Sequence, residues 1–211
     1  MKTSIAVLLF FGLHFMAFAQ EDDEPTRSDS AKWEISISTG FCSQTAPNFP
    51  GAKSKSSSLL ACFRGSIRIN KALDIFAQWN LSQFPFKKSS SKYDIDDTIS
   101  PMPVQMVGAG ISIFLFGRRR LQPFLNLGVG TVSFGSASFV KDNKLIFSTE
   151  SKSAIYYQIG GGLKITDQAG WGAKLELNNY AMKYPGSFSS GIILPSKVNS
   201  FQVAFGLFKE F

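Results

Sequence analysis

The chain has 211 residues, 44% of them hydrophobic and 18% charged, with a formal net charge of +7. Its 18 glycines and 9 prolines are near ordinary usage, which excludes a collagen-like repeat and bulk disorder. Two cysteines cannot build a disulfide-dense scaffold, and their spacing supports no zinc site.

Residues 1–19 read as a cleaved signal peptide, with Lys2 as the basic start, an apolar run from Ile5 to Phe18, and Ala17-Phe18-Ala19 as the cleavage site. The run is short for a helix crossing about 30 Å of hydrocarbon. No cysteine follows the cleavage position, so a lipoprotein anchor has no residue to carry it. The single histidine, His14, leaves with the signal, so residues 20–211 contain none. That argues against a Ser-His-Asp or Cys-His nucleophile, a histidine general base and a histidine-bearing metal site together. Residues 20–31 are polar and acidic without apolar periodicity and read as a flexible tail.

From residue 32 the recurring period is two. Eight alternating runs are expected as strands, over 33–41, 59–69, 73–82, 107–115, 121–130, 155–165, 171–178 and 201–211. Short turns at 70–71, 117–120 and 166–170 alternate strictly with long loops at 42–57, 84–102, 135–153 and 182–197. An up-and-down antiparallel barrel requires this alternation, with all long loops at one end and all turns at the other. One face of each run is nearly uncharged and rich in Ile, Leu, Val and aromatics, as lipid requires. The other combines Gly and Ser with charges and suits the narrow interior of an eight-stranded barrel. In hydrocarbon every backbone polar group must be paired, which only a closed sheet achieves. The expected fold is therefore all-β, an eight-stranded antiparallel up-and-down transmembrane β-barrel over residues 32–211. Arginine at Leu125, on the lipid face, is expected to be costly, and arginine at Asn126 milder.

The inward face carries four cations, Arg64, Arg68, Lys164 and Lys174, and four acids, Glu34, Asp74, Glu176 and Glu210. Buried charges persist only when paired, so they read as a structural network plugging the lumen; a gated ion path is the sharper alternative. Cys42 and Cys62 both point inward near the loop end, either as a disulfide or as two thiols. Trp33, Phe41, Trp171 and Tyr180 suit interfacial girdles.

The lysines of the long loops, Lys53, Lys55, Lys87, Lys88, Lys92, Lys141, Lys144, Lys183 and Lys197, would face outward. They suit lipopolysaccharide phosphates or another anionic surface polymer; plain loop solubility is the alternative. Asp94, Asp96 and Asp97 lack the glycine and distal glutamate of a calcium loop, so no metal is expected. The glycine doublets are followed by no helix or acidic partner, so they are no dinucleotide fingerprint, and no cofactor is expected. Nucleic-acid binding has no motif here. Arg118-Arg119-Arg120 falls in a turn, where inner-leaflet headgroups are within reach.

The sequence resembles the eight-stranded outer-membrane β-barrel family, of the OmpX, OmpA-transmembrane-domain and PorT-like types. The resemblance rests on Ala17-Phe18-Ala19, on Gln122-Pro123-Phe124-Leu125-Asn126-Leu127-Gly128-Val129-Gly130, on Gly160-Gly161-Gly162-Leu163-Lys164, and on the last strand, 201–211. It implies that Phe205, Leu207 and Phe211 form the signal read by the barrel-insertion machinery; Lys209 departs from the apolar residue usual at its place. Enzymes of this group have catalytic sets that include a histidine. The resemblance thus implies a non-enzymatic outer-membrane protein of a Gram-negative bacterium with a structural or surface-interaction role. An accessory subunit of a secretion or transport complex and a narrow solute channel are the alternatives.

Overall fold

Alternation of β-branched and aromatic residues with small or polar ones builds long strands. The computed structural model describes residues 33–44, 52–54, 57–84, 86–88, 98–99, 102–116, 120–136, 138–141, 144–148, 151–182 and 198–211. Eight strands form the body: β1 (Trp33–Gln44), β2 (Ser57–Asn70), β3 (Leu73–Phe84), β4 (Met102–Phe114), β5 (Leu121–Phe134), β6 (Lys152–Thr166), β7 (Trp171–Met182) and β8 (Val198–Glu210). Each pairs antiparallel with its sequence neighbours, and β1 pairs with β8, closing the barrel. Short strands lie in the loops: Ala52–Ser54 pairs with Phe86–Lys88, and Ser138–Lys141 pairs with both Lys144–Ser148 and Thr98–Ile99. No helix among the described residues is long and apolar enough to cross a membrane.

Register sets the geometry of the closure. From Glu34 the paired residues run through Ser66, Phe76, Gly110, Gly128, Gln158, Tyr180 and Ser200 to Gln44. The path thus returns to β1 ten residues from its start. That stagger gives tilted strands, about 35–45° from the barrel axis. The turns are locally encoded. Asn70 Oδ1 accepts from the Ala72 amide at 2.8 Å, and Asp167 Oδ1 accepts from the Trp171 amide at 2.8 Å. Gly170 takes φ 81°, a conformation only glycine adopts without strain.

The strands run further toward the long loops than the apolar alternation suggests, and the reason is an inversion of polarity. Over most of the barrel the outer face is apolar: Ile35, Ile37, Val107, Leu125, Ile159, Leu177 and Leu207 are all exposed. At the loop end the outer positions become Pro103, Gln105, Ser133 and Asn199. There the inner positions turn apolar, with Leu60, Met102, Val104, Met106, Val132, Phe134 and Met182 buried. The top of the barrel therefore has the inside and outside of a water-soluble barrel, and its lower part the reverse.

The lumen and the loop-end rim as candidate functional site

The barrel interior holds three layers. At the turn end is the ionic layer, which brings together all eight charged residues expected in the lumen. Arg64 Nη1 and Nη2 donate to the two carboxylate oxygens of Glu176 at 3.0 and 2.8 Å, and Nη2 also to Gln78 Oε1 at 2.8 Å. Lys174 Nζ lies 2.8 Å from Glu176 and 3.8 Å from Glu34, and donates to Ser36 Oγ at 2.7 Å. Lys164 Nζ donates to Glu34 and to Glu210, while Arg68 lies 3.5 Å from the other oxygen of Glu210. Asp74 is buried opposite Arg68 in the β2–β3 register.

Aromatic rings seal this layer. Arg64 stacks on Phe76 at 4.4 Å, and Lys164 stands over Phe208 at 4.4 Å and Phe114 at 5.6 Å. Two of the rings use space left by a glycine on a neighbouring strand; a Cβ at Gly172 would fall 2.1 Å from Phe208 Cζ, and one at Gly110 2.6 Å from Phe76 Cζ. The free volume left among Glu34, Arg64, Asp74, Lys164, Lys174 and Glu176 is about 10 Å³. That is about the room for one water.

The middle layer is a net of amides. Gln78 Nε2 donates to Gln158 Oε1 at 2.7 Å, Gln158 Nε2 to Asn178 Oδ1 at 3.0 Å, and Asn178 Nδ2 to Glu176 at 3.1 Å. Ser112 Oγ donates to Asn126 Oδ1 at 2.7 Å. Asn126 is fully buried, so arginine there is not mild: it would overpack a filled lumen. Tyr180 also belongs here. Its expected place in an interfacial girdle is corrected: it is 1% exposed, accepts from Asn80 Nδ2 at 3.1 Å and meets Tyr156 edge-on at 5.4 Å. Trp33, Phe41 and Trp171 do face outward.

The third layer is the apolar cap already described, and the cysteines border it. No disulfide joins them, which corrects the disulfide alternative. Cys42 pairs with Ser58 while Cys62 pairs with Ser38, four residues along the same strand. At about 3.3 Å per residue that separation is about 13 Å, roughly twice what a disulfide spans. Cys42 Sγ instead lies 2.9 Å from Ser200 Oγ.

Outside the lumen, Phe205, Leu207 and Phe211 are exposed on the outer face of the closing strand or just past it. Lys209 folds toward the turn, where its Nζ donates to the Ala169 carbonyl and lies 5.2 Å from the Trp171 ring. Of the loop lysines, Lys53, Lys87, Lys88, Lys141 and Lys144 lie in the short loop strands. Lys53 stands opposite Lys87 and Lys141 opposite Lys144 in the backbone register. Lys55, Lys92, Lys183, Lys197, the acidic trio at 94–97, Arg118, Arg119 and residues 1–31 lie outside the described residues. Among the described residues no three His, Cys, Asp or Glu side chains gather to hold a metal.

No family model and no curated protein matches the chain. Among solved structures, Neisserial surface protein A matches with a TM-score of 0.55 at 12% identity, over 85% of this chain and 97% of that one. The outer membrane protein AlkL, solved in lipid bilayers, matches with a TM-score of 0.50 at 15% identity, over 91% and 97%. The chain has the fold of the eight-stranded outer-membrane barrels. The outer membrane enzyme PagL also matches, at 11% identity and a TM-score of 0.46, over 82% and 97%. At these identities the likeness is one of fold, and the charged layer must be read from this chain's own residues.

Proposed function

We propose that the protein is a non-enzymatic outer-membrane β-barrel whose loop end binds an anionic surface partner, lipopolysaccharide phosphates first among them. The observation that carries this reading is the division of the barrel. An apolar belt suits lipid, ion pairs and rings crowd the lumen at the turn end, and the loop end is where long polar segments are free for contact. There, lysines stand opposite lysines in the register of two short ladders. Like charges placed so are unfavourable alone, and an anion between them removes the repulsion. The histidine-free sequence after residue 19 supports a role without catalysis. In the same reading, residues 1–19 are removed on export and the outward Phe205, Leu207 and Phe211 address the barrel-insertion machinery.

The test is binding of lipopolysaccharide vesicles by purified barrel, before and after Lys→Gln replacement at 53, 87, 88, 141 and 144. Loss of binding with an intact heat-resistant fold is expected; unchanged binding would remove the loop lysines from the reading. Stoichiometric co-purification of other membrane chains would favour the alternative role of accessory subunit in a secretion complex. Steady unitary currents in planar bilayers would instead restore the channel.

A further inference from the structure

Outward polar side chains can find partners within the barrel wall. Thr39 Oγ1 donates to the Leu60 carbonyl at 3.1 Å, and the hydroxyls of Ser133 and Ser153 lie 3.1 Å apart. Asn179, exposed on the outer face of β7, does not: its side chain makes no hydrogen bond among the described residues. Its nearest outward neighbours are all apolar. Its ladder partners are Ile159 on β6 and Phe201 on β8, 61% and 48% exposed. Leu177 precedes it on the same face of the strand and Ala181 follows it, both exposed. The polar rim of the loop end begins beyond it, at Asn199 opposite Ala181. A side-chain amide carries two donor hydrogens and an acceptor oxygen, and lipid tails answer none of them.

The chemistry of the amide selects its partner. A phospholipid ester offers only acceptors and leaves the amide oxygen unanswered. A second Asn179 answers both needs, because each Nδ2 donates to the other's Oδ1 and the pair is symmetric about a twofold axis. The relief around the amide has the same symmetry. The tilt of β7 carries Ala181 to the side of Asn179 away from β8, while Phe201, on β8, stands on the other side. Across a twofold axis parallel to the membrane normal, Phe201 of one copy therefore faces Ala181 of the other, large against small, and does so twice.

We propose that the outer face of β7 is an interface between two copies of this chain, closed by the pair of Asn179 amides and by Phe201 of each copy seated on Ala181 of the other. An axis parallel to the membrane normal keeps both sets of loops on one side of the membrane. Pairing thus doubles the loop-end surface and leaves each lumen as it is.

This inference rests on the membrane reading above, and the experiment separates the two. Gln168, exposed in the β6–β7 turn, is replaced by cysteine and labelled with a donor or an acceptor dye, while the buried Cys42 and Cys62 stay in place. In phosphatidylcholine vesicles, energy transfer between copies should saturate as the protein-to-lipid ratio rises. Asn179→Leu should raise the ratio at half-saturation roughly tenfold, the loss of two hydrogen bonds, with heat-resistant gel mobility unchanged. Asn179→Gln should keep most of the association and Ala181→Phe should remove it. Thr131→Val, on the outer face of β5, should leave it as it is. Transfer that grows linearly with protein, or that saturates equally with Asn179→Leu, overturns the interface and leaves the membrane reading intact. Association that appears only when lipopolysaccharide is added would assign the amide to a lipid and also overturn the pairing. A protein that fails to float with vesicles removes both.

Discussion

Glu34 and Glu210 stand directly opposite one another across the seam where β1 meets β8, and both carboxylates turn to the same ammonium, that of Lys164 on β6. Directly opposed like charges weaken a strand pair. Here a third strand reverses the sign of the interaction, so the seam depends on a residue outside it.

Replacing Lys164 by Met should therefore destabilise the barrel by about 3–5 kcal/mol, the cost of leaving buried charges without their partner. Adding Glu34→Gln and Glu210→Gln should return much of that loss. Urea unfolding followed by tryptophan fluorescence in micelles reads both effects. An unchanged midpoint in the single variant would mean that the backbone ladder alone holds the seam.

Arg64 grips Glu176 with both arms of its guanidinium and Gln78 with one of them. Lysine keeps the charge but cannot reproduce the fork. Arg64→Lys should cost about 1–3 kcal/mol and Arg64→Leu about 3–5 kcal/mol. The Arg64→Leu, Glu176→Leu double variant should be less damaged than the sum of its singles. Strict additivity in that cycle would show that the two residues do not act as a pair.

A Cβ at Gly108 would lie 2.1 Å from the Tyr156 hydroxyl and 2.6 Å from the Val129 carbonyl oxygen. Gly108→Ala should cost about 1–3 kcal/mol through overpacking. Tyr156→Phe in that background should recover only the part owed to the hydroxyl. A fully tolerated alanine would place the ring elsewhere in solution.

The polarity inversion predicts two different answers along one strand. Leu125 and Ser133 both face outward on β5, one in the apolar belt and one above it, where its partners are Gln105 and Ser153. Leu125→Arg should cost about 2–4 kcal/mol in a bilayer and Ser133→Arg about 0–1 kcal/mol. Equal costs measured by refolding into vesicles would remove the inversion as a marker of membrane depth.

The sequence made the eight strands legible because their outer faces keep one rule through the belt, apolar at every second residue. It made the ionic residues legible for the same reason, since a charge on the inward parity has nowhere else to point. Its reach ended where the rule reverses. Met102, Val104 and Met106 are apolar on the inward parity, so the outward alternation marks this strand only from Val107. Tyr180 misled for a related reason: an aromatic near a strand end suits a girdle, and only the register shows it facing Asn80 and Gln78. The Cys42–Cys62 distance likewise depends on stagger between strands, which no single run of residues carries.

The backbones of Trp33 and Phe211 exchange hydrogen bonds, at 3.4 and 2.9 Å. In that respect the β1–β8 seam is a ladder like the other seven, and the ring of strands has no privileged starting point. A short linker joining those two residues, with new ends cut in a long loop, should yield a circular permutant with the same strand order. Moving the cut from loop to loop would then reveal which hairpin the assembly process must receive first.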